Sequence, residues 1–143
     1  MDHTLNVYNN FKALLSLRGI EMPEDSVIIV SLLHDVCKAN FYVTEQRNKK
    51  VDGQWVSYDF YATNKNPQIP LPHSSRSIRI IRSFIQLKFE EELIIFYHMG
   101  PYGADDYEYR NLMQSVNTKN PETLLFYIAD LMSSYLDETT LDN

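Results

Sequence analysis

An all-α chain interrupted by one β-hairpin is the fold class this sequence predicts. Two observations carry the expectation. Apolar residues recur at helical spacing in several separate stretches. Between them, residues 41–61 are instead rich in aromatic and β-branched side chains around Asp52-Gly53, the pairing that a two-residue hairpin turn favours. With 143 residues the chain fits a single domain with a real core, spanning 1–143 and carrying the hairpin at about 41–61.

The elements follow in order. Residues 4–17 place Leu5, Tyr8, Phe11/Lys12 and Leu15 near one helical face, and Arg18-Gly19 is a stop. Pro23 and Asp25 signal the next start, and the helix through VIIVSLLHDVCKA is apolar on nearly all sides until His34, which predicts a central, buried element. Phe41–Arg47 should pair with Gln54–Tyr61, and its aromatic residues Trp55, Tyr58, Phe60 and Tyr61 are expected as core or as a wall over a site. A proline-bearing loop, ATNKNPQIPLP, comes next. Residues 73–86 read as a helix with Ile78, Ile81 and Ile85 inward. KFEEELIIFYHM is another helix, ending at His98. GPYGADDYEY reads as loop, Asn111–Val116 as a short helix, and Pro121 to about Asp137 as the last helix with a frayed polar tail.

Composition bounds the function. Net charge is −6, which argues against a basic surface for duplex nucleic acid but leaves room for a local basic pocket holding a small anion. The lone cysteine, Cys37, excludes an internal disulfide framework and fits a reducing compartment; it reads as a packed small residue. No signal pattern and no apolar run of membrane-spanning length is present, so a cytoplasmic protein without membrane partners is expected.

The chemistry-bearing residues are few. There are four histidines, His3, His34, His73 and His98, each at or near a predicted helix terminus. Asp130 interrupts the apolar stretch ETLLFYIADLM with no lysine or arginine within a turn, so its partner must be distant in sequence: an arginine, a histidine or a metal ion. Imidazole with carboxylate suits Mn, Fe, Co, Ni or Zn, with Mg admissible if water completes the shell. Lys38 lies at i+4 from His34 and should share its face, where its ammonium could neutralise a phosphate. Arg76 and Arg79, one turn apart, are further candidates to meet that phosphate.

The order His3 … His34-Asp35 … His73 … His98 … Asp130 resembles the HD-domain metal-dependent phosphohydrolase superfamily, in the form H…HD…H…H…D seen in members that hold two metals. DHTLNVYNNFK is similar to E-H-S-L-x-V-Y-x-N-L of a bacterial and phage branch. VIIVSLLHDVCKANFY is similar to its I-I-x-x-S-L-L-H-D-x-C-K-x-x-x-Y, IIFYHMGPY to I-x-W-H-M-G, and LLFYIADLMSSYLDE to L-L-x-x-A-D-M-x-A-T-Y. The resemblance spans nearly the whole chain and makes the hairpin an insertion. The chain departs from it at His73, reading PHSSRSI where the family reads G-H-G-E-K-S, and at His3, which lacks the upstream segment of relatives and is expected to fray.

The resemblance implies an HD-domain helical bundle and one or two divalent metals. His3, His34, Asp35 and Asp130 would hold the first; Asp35 would bridge to a second held by His73 and His98. If one metal binds, those two histidines would face the phosphate or the attacking water. The implied reaction is hydrolysis of a phosphomonoester or phosphodiester by a metal-activated water, with a small-molecule phosphate ester or nucleotide as substrate. Asp35 and Lys38 would be catalytic, and Lys38, Arg76 and Arg79 substrate-binding. Two alternatives stay open: a di-iron oxygenase, and a nucleotide- or protein-binding domain without turnover. Oligomerisation is also left open.

Overall fold

Helix α1 (Asp2–Arg18) buries Val7, Phe11 and Leu15, the i, i+4, i+8 stripe of one face, while Leu5 is exposed. The computed structural model describes residues 2–39, 41–63, 69–104 and 106–138. It is mostly helical, with α2 (Glu24–Leu33), α3 (His73–Ile81), α4 (Phe89–Tyr97), α5 (Tyr107–Lys119) and α6 (Pro121–Met132) completing the helices, and one antiparallel hairpin between α2 and α3. Helix α1 packs against α2 and α6, and α4 closes the other side against α2, α3 and α6. The core is built from Val7, Phe11, Leu15, Val27, Val30, Ile94, Ile95 and Phe126. Phe11 meets Phe126 edge-on with centroids 5.0 Å apart, the ring geometry their quadrupoles favour. Among the described residues no helix is long and apolar enough to cross a membrane.

Four expectations need correction. First, α2 stops at Leu33 instead of continuing to Ala39. Asp35 leaves helical geometry (φ −105°, ψ 15°), and Val36–Lys38 forms a separate 3-10 turn. Helix α2 is also less central than expected, for Ile28 and Leu32 are exposed. Second, α3 ends at Ile81. Residues 82–85 form tight turns instead, which leave Ile85 exposed and let Leu87 enter the core. Third, α5 is longer than Asn111–Val116, because the Asp106 carboxylate caps it by accepting the Tyr109 N–H at 2.6 Å. Fourth, the final helix continues as a π-helical turn, Ser133–Asp137, and Asn10 Nδ2 donates to Asp137 Oδ2 at 2.8 Å, tying that turn to α1.

The hairpin pairs β1 (Tyr42–Val51) with β2 (Gln54–Thr63), from Tyr42 opposite Thr63 to Val51 opposite Gln54. Asp52 (φ 50°) and Gly53 (φ 86°) form the predicted two-residue turn with both residues left-handed. Its strands pack chiefly on each other. The hairpin aromatics are neither core nor a wall over the site: on one face of β2, Trp55 is 72% and Tyr61 74% exposed. Tyr58 and Phe60 lie on the opposite face, where cross-strand cations stack on them, Arg47 lying 3.5 Å from the Phe60 centroid and Lys49 5.1 Å from that of Tyr58.

Candidate metal centre

Helix ends build this site. His3 lies in the first turn of α1, His34 directly follows α2, His73 opens α3, His98 directly follows α4, and Asp130 sits in the last turn of α6. The four imidazoles form a row, His3–His34–His98–His73, with successive ring centroids 5.5, 5.1 and 5.2 Å apart. All six of the predicted ligands therefore converge. Three overlapping sets each bring three donor atoms within 4.8 Å of one another: His3, His34 and Asp35; His34, His98 and Asp130; and Asp35, His73 and His98.

Each imidazole is anchored by Nδ1 and presents Nε2 inward. His34 Nδ1 lies 3.0 Å from the Ser31 carbonyl and His98 Nδ1 2.7 Å from that of Ile95. A carbonyl only accepts, so Nδ1 carries a hydrogen in both and Nε2 is the nitrogen turned to the site. His73 Nδ1 meets Cys37 Sγ at 3.1 Å, and His3 Nδ1 meets Glu138 Oε1 at 2.5 Å. Nε2 of His3, His34 and His98 is buried without a hydrogen-bond partner. The 3.1 Å approach of His3 Nε2 to Asp130 Oδ1 is an electrostatic contact.

The two carboxylates divide the row. Asp130 Oδ1 faces His3 at 3.1 Å and His34 at 3.8 Å. Asp35 turns Oδ1 to His73 at 2.5 Å and His98 at 3.5 Å, and Oδ2 to Lys38 at 2.5 Å and His34 at 3.6 Å. One carboxylate thus reaches both halves of the donor set. Helical geometry breaks only at Asp35 (φ −105°, ψ 15°); His34 before it is still helical (φ −52°, ψ −36°), so the two neighbours diverge by roughly 100° and meet the site from two sides. The same break corrects the placement of Lys38. It does not ride on the face of His34 as an i+4 neighbour but folds back onto Asp35 from the 3-10 turn.

The electrostatics follow from burial and these contacts. Burial lowers His34 to about 4, so it is neutral near pH 7 and its approaches to Asp35 and Asp130 are not ion pairs. The Asp130 carboxylate, with help from Glu138, pushes His3 up to about 9. Asp35, with Cys37, does the same for His73. Burial alone would raise the Asp35 carboxyl, but the bond from His73, the 3.5 Å approach of His98 and the bond from Lys38 hold it well below the usual carboxylate range. Desolvation works against the Lys38 charge, yet Asp35 raises its pKa.

Arg76 and Arg79 bond to groups other than the six ligands. Arg76 Nη2 donates to the Leu71 carbonyl at 3.0 Å, and Arg79 Nη1 to Ser83 Oγ at 3.4 Å on the exposed side of α3. Three supporting residues went unforeseen. Cys37, read as packing, contacts His73, and that contact lowers its thiol pKa against the upward pull of burial. Ser133 and Glu138, read as part of a frayed tail, hold His3. Their only signal is spatial, since Glu138 lies 135 residues from its partner. Comparison with known proteins gave no match to any family model, curated protein or solved structure.

Proposed function

We propose that this chain is an HD-domain metal-dependent phosphohydrolase acting on a phosphomonoester or phosphodiester, with a nucleotide as the favoured substrate. The carrying observation is the set of three buried, unpartnered Nε2 atoms aimed at two carboxylates. An orphan such as His34 Nε2 costs about 1–3 kcal/mol, and a divalent ion bound by these nitrogens, for which His3 gives up its proton, removes that cost. Four imidazoles and two carboxylates fit Mn, Fe, Co, Ni or Zn. His3, His34, Asp35 and Asp130 would hold one ion, and Asp35, His73 and His98 a second.

When bound, such an ion supplies Lewis acidity and lowers the pKa of a coordinated water towards ~7. The rest is the work of this chain's side chains. Asp35 and Asp130 orient the attacking water and accept its proton. The water oxygen forms a bond to phosphorus as the bond to the ester oxygen breaks, and the departing oxygen takes a proton from solvent. Lys38, half exposed beside Asp35, releases that carboxylate to meet the phosphate oxygens and neutralises charge as it develops. This ammonium favours phosphate chemistry over the di-iron oxygenase reading of the same donors.

The test is metal content per chain by mass spectrometry, with phosphate release from a panel of phosphomonoesters and nucleotides, for wild type and Lys38→Ala. One or two ions per chain and turnover that falls about 100-fold in the variant are expected. Oxygen consumption by the iron-loaded protein without phosphate release would transfer the assignment to the oxygenase. Ligand binding without turnover across several metals would leave a non-catalytic binder.

A further inference from the structure

We infer that Glu138, supported by Ser133, is a positioning residue that sets the orientation of the His3 ligand; the assignment rests on the metal-centre reading above. His34 and His98 are each anchored by a carbonyl three residues back in their own helix. His3 lies in the first turn of α1, where the helix offers no preceding turn to supply one. The anchor comes instead from the far end of the chain. Glu138 Oε1 accepts from His3 Nδ1 at 2.5 Å, and the Ser133 hydroxyl donates to the same carboxylate oxygen at 2.7 Å.

The π-helical turn makes this geometry. Its wider spacing brings the Glu138 N–H onto the Ser133 carbonyl at 3.1 Å, five residues back, so both side chains meet over His3. The Asn10–Asp137 bond holds the turn to α1 from a second point. A carboxylate on Nδ1 fixes a hydrogen there and leaves Nε2, facing Asp130 and His34, as the nitrogen that gives up its proton to a metal, the outer arrangement that raises the basicity of a metal-bound histidine. Glu138 does this from an exposed position, so removing it leaves the core intact.

The experiment titrates the metal-free full chain with Mn(II) and Zn(II) against a fluorescent chelator, for wild type, Glu138→Gln and Glu138→Ala, with the thermal midpoint of each metal-free protein alongside. Glu138→Ala should bind the His3 ion about 10–100-fold more weakly. Glu138→Gln, which keeps an acceptor, should fall in between, and the metal-free midpoints should stay together. An affinity for Glu138→Ala within twofold of wild type at equal stoichiometry overturns the assignment. So does a loss of affinity that merely tracks a lowered metal-free midpoint. No stoichiometric metal in wild type would overturn the metal centre itself, and this assignment with it.

Discussion

Replacing Asp35 by asparagine tests the centre most directly, because the substitution keeps shape and one acceptor oxygen while deleting the charge that His73, His98 and Lys38 share. In the metal-free protein His73 is raised from 6.5 to about 9, chiefly by the bond it donates to Asp35. Full conversion at 1.36 kcal/mol per unit gives roughly 3.4 kcal/mol. The ring is 29% exposed, so solvent screening reduces this to about 1–2 kcal/mol. The folded value lies above the unfolded one. The stabilisation is therefore complete below pH 6.5 and is lost as pH rises through 9. Urea unfolding in a chelator at pH 6 and pH 9.5 should show wild type losing this increment, on top of the similar His3–Asp130 contribution. Asp35→Asn should lose only the His3 part. Metal affinity runs the other way, strengthening as pH rises, because a ligating histidine must give up its proton. Parallel stability losses in the two proteins would refute the His73–Asp35 coupling, and undiminished metal uptake by Asp35→Asn would refute its place between the two halves of the donor set.

Two further outcomes are expected. Cys37→Ala removes the group that meets His73 Nδ1 at 3.1 Å and, if the grouping of Asp35, His73 and His98 holds an ion as proposed, should weaken its binding about tenfold in chelator competition, whereas Cys37→Ser should retain most of the affinity; equal affinities for the two variants would argue against an anchoring role. Gly100→Ala should cost about 2–4 kcal/mol in urea unfolding, since Gly100 holds φ +54° and an added Cβ would lie 2.5 Å from the Tyr127 ring. Because Gly100 follows His98 by two residues, that variant should also bind metal more weakly, and wild-type stability would refute the packing argument.

Signals local in sequence proved legible. Helical spacing of apolar residues located the helical stretches, although α3 and α5 differ in extent from the reading, and Asp52-Gly53 marked a two-residue turn whose left-handed geometry the structure adopts. The chain order of His3, His34, Asp35, His73, His98 and Asp130 picked out six residues that converge at the centre, but not Cys37, Ser133 or Glu138 around them. Errors arose where one local preference overrode another. The Asp106 cap turned an expected loop into the first turns of α5, and of the hairpin aromatics Tyr58 and Phe60 meet their own cross-strand cations while Trp55 and Tyr61 stay exposed.

By itself, then, the sequence determined which residue types are present for metal chemistry and which of them sit at helix ends, because both follow from composition and from periodicities a few residues long. Only the tertiary structure decided how they face one another. Asp35 reaches both halves of the site, and the 3-10 turn that follows it folds Lys38 onto it. Cys37 meets His73 across 36 residues, and Glu138 meets His3 across 135. Such pairings depend on how whole helices pack around Phe11 and Phe126, and no pattern a few residues long encodes that packing.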